Sequence, residues 1–185
     1  MSDSLSAVPV LDTARLRLRT VQRSDLEQIY LLHSDSRAMR YWSFATWSEK
    51  QQALDWFEQR RRMSEREEVW PWAITFAGAD ELIGIVTLFA INRVQRRAET
   101  GYQLHPSHWG QGYAQEALRA VLRYGFEALE LRRVEADIDP RNEASCRLIE
   151  RLGFQREGYL RERWLVNGEI TDTALYGLLQ RDFVR

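Results

Sequence analysis

The 185-residue sequence predicts a single domain of mixed α/β type, in which a sheet is flanked by helices. Alternating or β-rich segments, typical of strands, occur near the start, in the middle and at the end of the chain. Segments with apolar residues at helical spacing lie between them. No linker, repeat or change of composition divides the sequence, and its length suits one domain. We expect a flexible tail at 1–9 and the domain at 10–185.

The first part of the chain predicts one strand and two helices. Apolar and polar residues alternate over 16–20, as in a half-buried strand. Ser24 with Glu27 has the spacing of a capping box, which marks the start of a helix. Ser48 and Gln51 repeat that spacing, so a second helix is expected after them.

The rest of the chain predicts a strand-rich middle followed by alternating helices and strands. Short polar turns separate the three middle strands, which are therefore expected to pair antiparallel. Gly153 is placed to end a helix in a left-handed cap, and Asn167 with Gly168 predicts a turn between the last two strands. The predicted elements are strands at 70–76, 82–91 and 98–104, a helix at 113–126, a strand at 134–138, a helix at 143–152, and strands at 154–161 and 173–179.

Charge and composition exclude several classes of function. A net charge of −1 argues against a protein built to hold nucleic acid or an anionic membrane. No apolar run is long enough for a membrane span and no secretory signal begins the chain, so the cytoplasm is expected. The single cysteine, Cys146, allows no internal disulfide. His105 and His108 have no carboxylate at ligand spacing, so no metal is expected. The basic run 60–62, followed by acidic residues, predicts a solvated helix face.

The loop between the third middle strand and the following helix is the most informative segment. Gly110 and Gly112 stand just before a helix whose first amides have no partner within it, an arrangement suited to binding phosphate. A P-loop is excluded because no Lys follows the glycines. A dinucleotide fingerprint is disfavoured because Gln115 stands where its third small residue belongs. A simple turn remains the alternative.

Two motifs point to a family. Gly112 and Ala114 resemble the last two fixed positions of motif A of the GNAT acetyltransferases, although Trp109 stands where Arg or Gln is usual. The segment from Asn142 to the Leu-Gly-Phe at 152–154 resembles motif B. The first strand and the closing strands also resemble the RimJ/RimL branch of that superfamily. Four motifs in the right order cover nearly the whole chain.

This resemblance implies a fold, a co-substrate and a set of binding residues. The family fold is a central, mostly antiparallel sheet that splays between its fourth and fifth strands, here 98–104 and 134–138, with acetyl-CoA in the split. The resemblance implies that backbone near Leu104 pairs with the pantetheine and that Asn142 contacts a CoA amide. The pyrophosphate would lie on the loop residues Gly110, Gln111, Gly112, Tyr113 and Ala114.

The reaction needs a base for the amine and an acid for the leaving sulfur. Glu99 is the first candidate base, and Asp137, at a position used by some related enzymes, is its rival. Both could instead be strand carboxylates in polar pairs. Many family members protonate sulfur with a Tyr where this chain has Ile149, so Ser145 is the candidate acid. Its alternative role is that of a helix residue bonded to backbone.

The acceptor is the least defined part of the prediction. Trp42, Trp72 and Tyr102 are expected to form its wall. The leading acceptor is the N-terminal α-amine of a protein, as in the RimJ/RimL branch. A small amine, such as an amino acid or polyamine, is the alternative, and a non-catalytic module that only binds acyl-CoA is a third possibility. A monomer or a homodimer would fit either activity.

Overall fold

The computed structural model describes residues 4–5 and 8–183. Its eight strands form one sheet in the order β1-β2-β3-β4-β5-β6-β8-β7. The strands are β1 (Leu11–Asp12), β2 (Leu16–Thr20), β3 (Val69–Phe76), β4 (Gly84–Asn92), β5 (Arg97–Leu104), β6 (Arg133–Ile138), β7 (Gln155–Val166) and β8 (Glu169–Leu179). The helices are α1 (Leu26–Ser34), α2 (Ser36–Met39), α3 (Gln51–Glu65), α4 (Tyr113–Glu127) and α5 (Glu143–Arg151).

The sheet opens between β5 and β6. Neighbouring strands pair antiparallel except for these two, which pair parallel. Their pairing covers only 97–99 of β5 and 133–135 of β6. Beyond Glu99 the two strands separate, and 100–104 keeps its pairing with β4 alone. This confirms the predicted mixed sheet with a splay between the two strands.

Helices cover both faces of the sheet. Amphipathic α4 packs on one face, where Leu118, Val121 and Leu122 are fully buried beside the β5 residue Ala98. On the other face, Ile29 of α1 and other apolar residues of α1 and α3 cover β3 and β4. Since successive strand residues point to opposite faces, Glu99 points to the α1 and α3 side.

Trp72 does not belong to an acceptor wall. Its side chain is fully buried, and its indole N–H donates to the carbonyl of Pro9 over 2.9 Å. Trp70 and Tyr124 pack beside it. The prediction that Trp72 contacts the acceptor is therefore wrong, because this ring fills the core behind β3.

The structure also corrects the helix starts. A turn of 3-10 helix precedes α1, and the capping box is formed by Gln22 and Asp25, whose carboxylate accepts the Gln22 N–H over 2.7 Å. Ser24 bonds only the Gln22 side chain. At α3 the N-cap is Lys50, and the Ser48 N–H donates to a side chain within the helix.

The predicted tail is wrong where the structure describes it. Leu5 and Val8 are buried, and the Leu5 N–H donates to the Val21 carbonyl over 3.0 Å. Residues 1–3, 6 and 7 lie outside the described residues. Leu5 packs in the cluster beneath α1 and α3, and Val8 packs in the cluster on the α4 side, so both apolar positions are part of the core.

Candidate active site

A cavity of about 430 Å³ lies at the split between β5 and β6. Residues of α1, α3, α5 and the closing hairpin complete its lining. Its volume is that of a small-ligand site. Six of the predicted site residues line it together, namely Trp42, Glu99, Tyr102, Asp137, Asn142 and Ser145.

Glu99 is a half-buried carboxylate at the last position of β5 that pairs with β6. Burial raises its pKa, and the negative charge of Glu135, its partner on β6, raises it further. Arg97 acts in the opposite direction, and Asp137 adds a smaller upward effect. A carboxyl group with a raised pKa is a stronger base near neutral pH, which suits proton removal from an amine.

Asp137 stands across the split from Glu99 in a different environment. It is exposed, and its Oδ1 accepts a hydrogen bond from the Thr173 hydroxyl of β8. Alternation along β6 places it on the same face as Glu135, so both predicted bases face the same side of the sheet. The structure thus brings the two candidates together, and only Glu99 has the burial that strengthens a base.

Tyr102 and Ser145 meet at the split on the other face of the sheet, the face that α4 covers. The Tyr102 hydroxyl is shielded from solvent and has no hydrogen-bond partner among the described residues. Burial raises its pKa to about 12, while the Ser145 hydroxyl beside it acts in the opposite direction. A buried hydroxyl without a partner costs stability unless a ligand uses it. Ile149, where a Tyr is usual in the family, is fully buried.

Asn142 has a structural role that leaves part of its amide free for a ligand. Its Oδ1 accepts the backbone N–H of Ser145 over 3.2 Å and so caps α5. Asn is favoured at this position because its side chain satisfies an otherwise unpaired helix amide. The Nδ2 hydrogens are the donors that remain for a CoA carbonyl.

The glycine loop has the conformation of a phosphate cradle. Gly110 and Gly112 both have left-handed φ values, +73° and +80°, which non-glycine residues rarely adopt. Gly112 is the N-cap of α4, and none of the described side chains caps this helix. Its first amides therefore face outwards at the positive end of the helix dipole. A Cβ added at Gly110 would meet nothing within 4 Å, so the loop is open to a ligand.

Arg15 holds this loop in place, and sequence patterns did not identify it. Its guanidinium donates to the Gln111 carbonyl over 3.0 Å and pairs with Glu116 of α4 at 2.7 Å. It also lies over the Tyr113 ring, 4.5 Å from the ring centre. Although burial raises the pKa of Glu116, hydrogen bonds from Thr13 and Arg15 hold it below its usual value.

Trp109, the departure from motif A, connects the loop to the end of β5. Its indole N–H donates to the Leu104 carbonyl over 2.8 Å, while about half of the residue stays exposed. Leu104 itself is buried. A carbonyl oxygen has two lone pairs, so a second donor from a ligand can still bind there. Ala114, the last motif position, packs against the main core cluster.

Aromatic residues from separate parts of the chain form the wall of the cavity on the α1 and α3 side. Besides Trp42 they include Phe44, Trp56 and Trp164. His33 also lines the cavity, stacked on Trp47 with ring centres 4.1 Å apart. Burial lowers the pKa of His33 to about 4, so its ring is neutral at neutral pH. No spacing signal joins these positions, because they meet only in the folded chain.

Within residues 4–5 and 8–183, no group of three or more His, Cys, Asp or Glu side chains is placed to hold a metal ion. The described helices are likewise too short or too polar to cross a membrane.

The fold, the split and the glycine loop define a class of enzyme. Residues 15–155 match the family model described as an acetyltransferase (GNAT) domain. The chain therefore belongs to the GNAT acetyltransferase family. It is an N-acetyltransferase whose co-substrate is acetyl-CoA.

The similarity to known proteins covers nearly the whole chain. YoaA of Bacillus subtilis, described as an uncharacterized N-acetyltransferase, is 36% identical over 172 residues, 93% of this chain and 97% of YoaA. The spermidine N(1)-acetyltransferase of Vibrio cholerae is 28% identical over 171 residues, 92% of this chain and 96% of that enzyme. The crystal structure of V. cholerae spermidine N-acetyltransferase with CoA and spermine superposes with a TM-score of 0.83 at 28% identity, covering 94% of this chain and all of that one (100%).

Proposed function

We propose that this enzyme transfers the acetyl group of acetyl-CoA to the primary amine of a small molecule. The observation that carries the proposal is the cavity of about 430 Å³, which combines carboxylates at the split with a wall of aromatic rings. Carboxylates attract an ammonium group and aromatic faces bind it. The likeness to spermidine acetyltransferases supports a small acceptor over a protein.

Each residue at the split has a proposed chemical role. Bound acetyl-CoA supplies the acetyl thioester. Glu99 accepts the proton that the amine must lose before its nitrogen bonds to the carbonyl carbon. As the carbon–sulfur bond breaks, Ser145 or Tyr102 returns a proton to sulfur. The amides of Gly112 to Ala114 would hold the pyrophosphate, and Leu104 and Asn142 the pantetheine.

Acetylation of a protein N-terminus, as in the RimJ/RimL branch, is the second candidate. A further cavity of about 220 Å³ shares Trp42, Phe44 and Asp139 with the first and extends to the turn at Asn167. Together the two could form a groove long enough for a peptide. This continuity is the feature that favours a peptide acceptor.

A comparison of acceptors tests the proposal. Free thiol released from acetyl-CoA would be measured with amino acids, amino acid amides, diamines and polyamines, and with peptides that begin with Ala or Ser. We expect turnover with at least one class of small amine at a kcat/KM well above that of every peptide. Turnover with peptides alone would replace the proposal by the second candidate.

A further inference from the structure

Arg60 of α3 lies in the wall of the acceptor cavity and has no carboxylate partner among residues 4–5 and 8–183. Its contacts are apolar: one guanidinium nitrogen lies 3.8 Å from the Met63 sulfur, and the group stands 5.6 Å from the centre of the Trp56 ring. Burial lowers its pKa, and no anion offsets that effect. No other arginine or lysine lines the cavity among the residues that the structure describes.

The neighbouring arginine shows how different this situation is. Arg61, next along α3, pairs with Glu58 at 3.0 Å and with Glu65 at 2.7 Å on the helix surface. A partly buried charge without a partner is costly, because protein replaces the water that would solvate it. A ligand that supplies the missing charge would offset this cost. A guanidinium offers two parallel donors that match a carboxylate.

The other charged groups of the cavity lie at the split. Glu99 and Asp137 are there, whereas Arg60 belongs to the aromatic wall. Asp139 also lines the cavity, but Arg141 pairs with it at 2.6 Å. His33 adds no charge near neutral pH, since its pKa is about 4. Arg97 and Arg163 act on Glu99 from outside the lining. Among the described residues that line the cavity, the negative groups are therefore at the split, where the acetyl group arrives, and the one positive group is on α3.

We propose that the acceptor is a small zwitterion of the amino acid type, with its amine at Glu99 and its carboxylate on Arg60. The inference rests on the proposed acetylation of a small amine and narrows the substrate class. A polyamine would bring a second ammonium group towards the Arg60 guanidinium, which repels it. An amino acid would offer an ammonium group to Glu99 and a carboxylate to Arg60.

The test compares acceptors that differ in one charge. Amino acids with the amine one to four carbons from the carboxylate would be assayed beside their amides and beside diamines of equal length. We expect the wild-type enzyme to favour the best acid over its amide by roughly 10- to 100-fold in kcat/KM, the scale of a hydrogen-bonded ion pair. This comparison needs no variant and so does not depend on folding.

Two substitutions then assign the preference to one residue. Arg60→Gln should collapse the acid-to-amide ratio towards 1, with the loss appearing in KM, and Arg60→Lys should restore part of it. Arg61→Gln removes a charge from the same helix outside the cavity and should leave the ratio at its wild-type value.

Other results would overturn the inference. Diamines or amides used as well as the acids would exclude a carboxylate site, and so would an unchanged ratio in a folded Arg60→Gln. Either result would leave small-amine acetylation standing. If every small amine, charged or neutral at its far end, failed to release thiol, the proposed function itself would fail.

Discussion

Two carboxylates on opposite strands of the split face the same side of the sheet, and burial distinguishes them. Glu99 is half-buried and stands opposite Glu135, whereas Asp137 is exposed and is bonded by Thr173. A group whose charged form is disfavoured holds a proton more tightly, and so accepts one more readily from an ammonium group. The environment of Glu99 therefore favours it as the base.

Glu99→Gln is expected to lower turnover by roughly 100-fold or more at neutral pH, the usual scale for losing a positioned base. The substitution keeps the shape of the side chain and removes its basicity. The deficit should shrink as the pH approaches the pKa of the acceptor amine, because the substrate then arrives deprotonated. A pH–rate profile of kcat/KM checks this, with Asp137→Asn as the matched control. Loss of the acidic limb in the Asp137 variant alone would reverse the assignment.

The neighbours of Glu99 provide a second control on the same profile. In the wild type the acidic limb should lie above pH 4.5, the ordinary carboxyl value, since the pKa of Glu99 is raised. Glu135→Gln removes an upward influence, while Arg97 and Arg163 remain as downward ones. The limb should then move to lower pH. A limb that stays in place would mean that another group titrates.

Ser145→Ala should lower kcat and leave the affinity for acetyl-CoA nearly unchanged, as for an interaction made only in the transition state. Tyr102→Phe is the matched comparison, because its hydroxyl lies beside that of Ser145. If the two hydroxyls act together, the effects of the two changes should not add in the double variant. Calorimetry with CoA separates binding from turnover. If the folded double variant keeps the wild-type kcat, neither hydroxyl protonates the leaving sulfur, and solvent water must do so.

At the scale of elements, the loop before α4 depends on glycine for its shape. Gly112→Asp should weaken the binding of acetyl-CoA by up to about 1,000-fold, since it puts a negative charge beside the pyrophosphate. A Cβ at this position lies 3.4 Å from the Arg15 guanidinium, which would offset part of that charge. At 4 Å, two like charges repel by about 4 kcal/mol with an effective dielectric constant near 20. Calorimetry and a melting curve measure binding and folding.

Gly78→Asp is the control for backbone strain. Gly78 has a φ of +83°, close to the +80° of Gly112, and a Cβ there would meet nothing within 4 Å. Both variants should lose roughly 1–2 kcal/mol of stability from the left-handed backbone, and only Gly112→Asp should bind acetyl-CoA more weakly. Equal affinity of the two variants for acetyl-CoA would contradict the assignment of the loop.

At the scale of the whole molecule, one titrating group couples stability to pH. The pKa of His33 falls from 6.5 to about 4 on folding, so the unfolded chain binds more protons between these values. Its contribution is complete above pH 6.5 and is lost as the pH falls to 4, a change of roughly 3 kcal/mol. Urea unfolding at pH 7 and pH 4.5 measures it. His33→Phe keeps an aromatic ring against Trp47 and should lose less stability over this interval than the wild type. An identical loss in both would place the titration elsewhere.

The order of strands and helices could be predicted, because each depends on a local period. The strand at 16–20 lies where its alternation places it, and α4 follows its apolar stripe. Periodicity could not predict the split, because the residue pattern of a strand is the same whether or not it pairs with its neighbour. Only the family resemblance implied the split. The start of the first helical segment was misassigned because the 3-10 turn before α1 is capped by Gln22, which is not a usual cap.

The candidate site was predictable where a motif names its residues and not where separate segments meet. Glu99, Asn142 and Ser145 lie together at the cavity as expected. Trp72 was misplaced because an aromatic residue near a site is equally suited to the core behind it. Arg60 belongs to the basic run 60–62, whose pattern predicts a solvated helix face. Only the folded structure shows that its side chain lines the cavity. Whether Arg60 has a carboxylate partner depends on tertiary contacts, which the sequence does not show.

The short pairing between β5 and β6 has a consequence for hydrogen exchange. Three residue pairs join the two halves of the sheet, so 100–104 has one strand edge with no neighbouring strand. Amides at such an edge exchange with solvent through local opening, far below the free energy of global unfolding. A pantetheine chain in the split would act as the missing neighbour. If CoA slows amide exchange at 100–104 and changes exchange in β7 and β8 little, the ligand bridges the two halves of the sheet at the split.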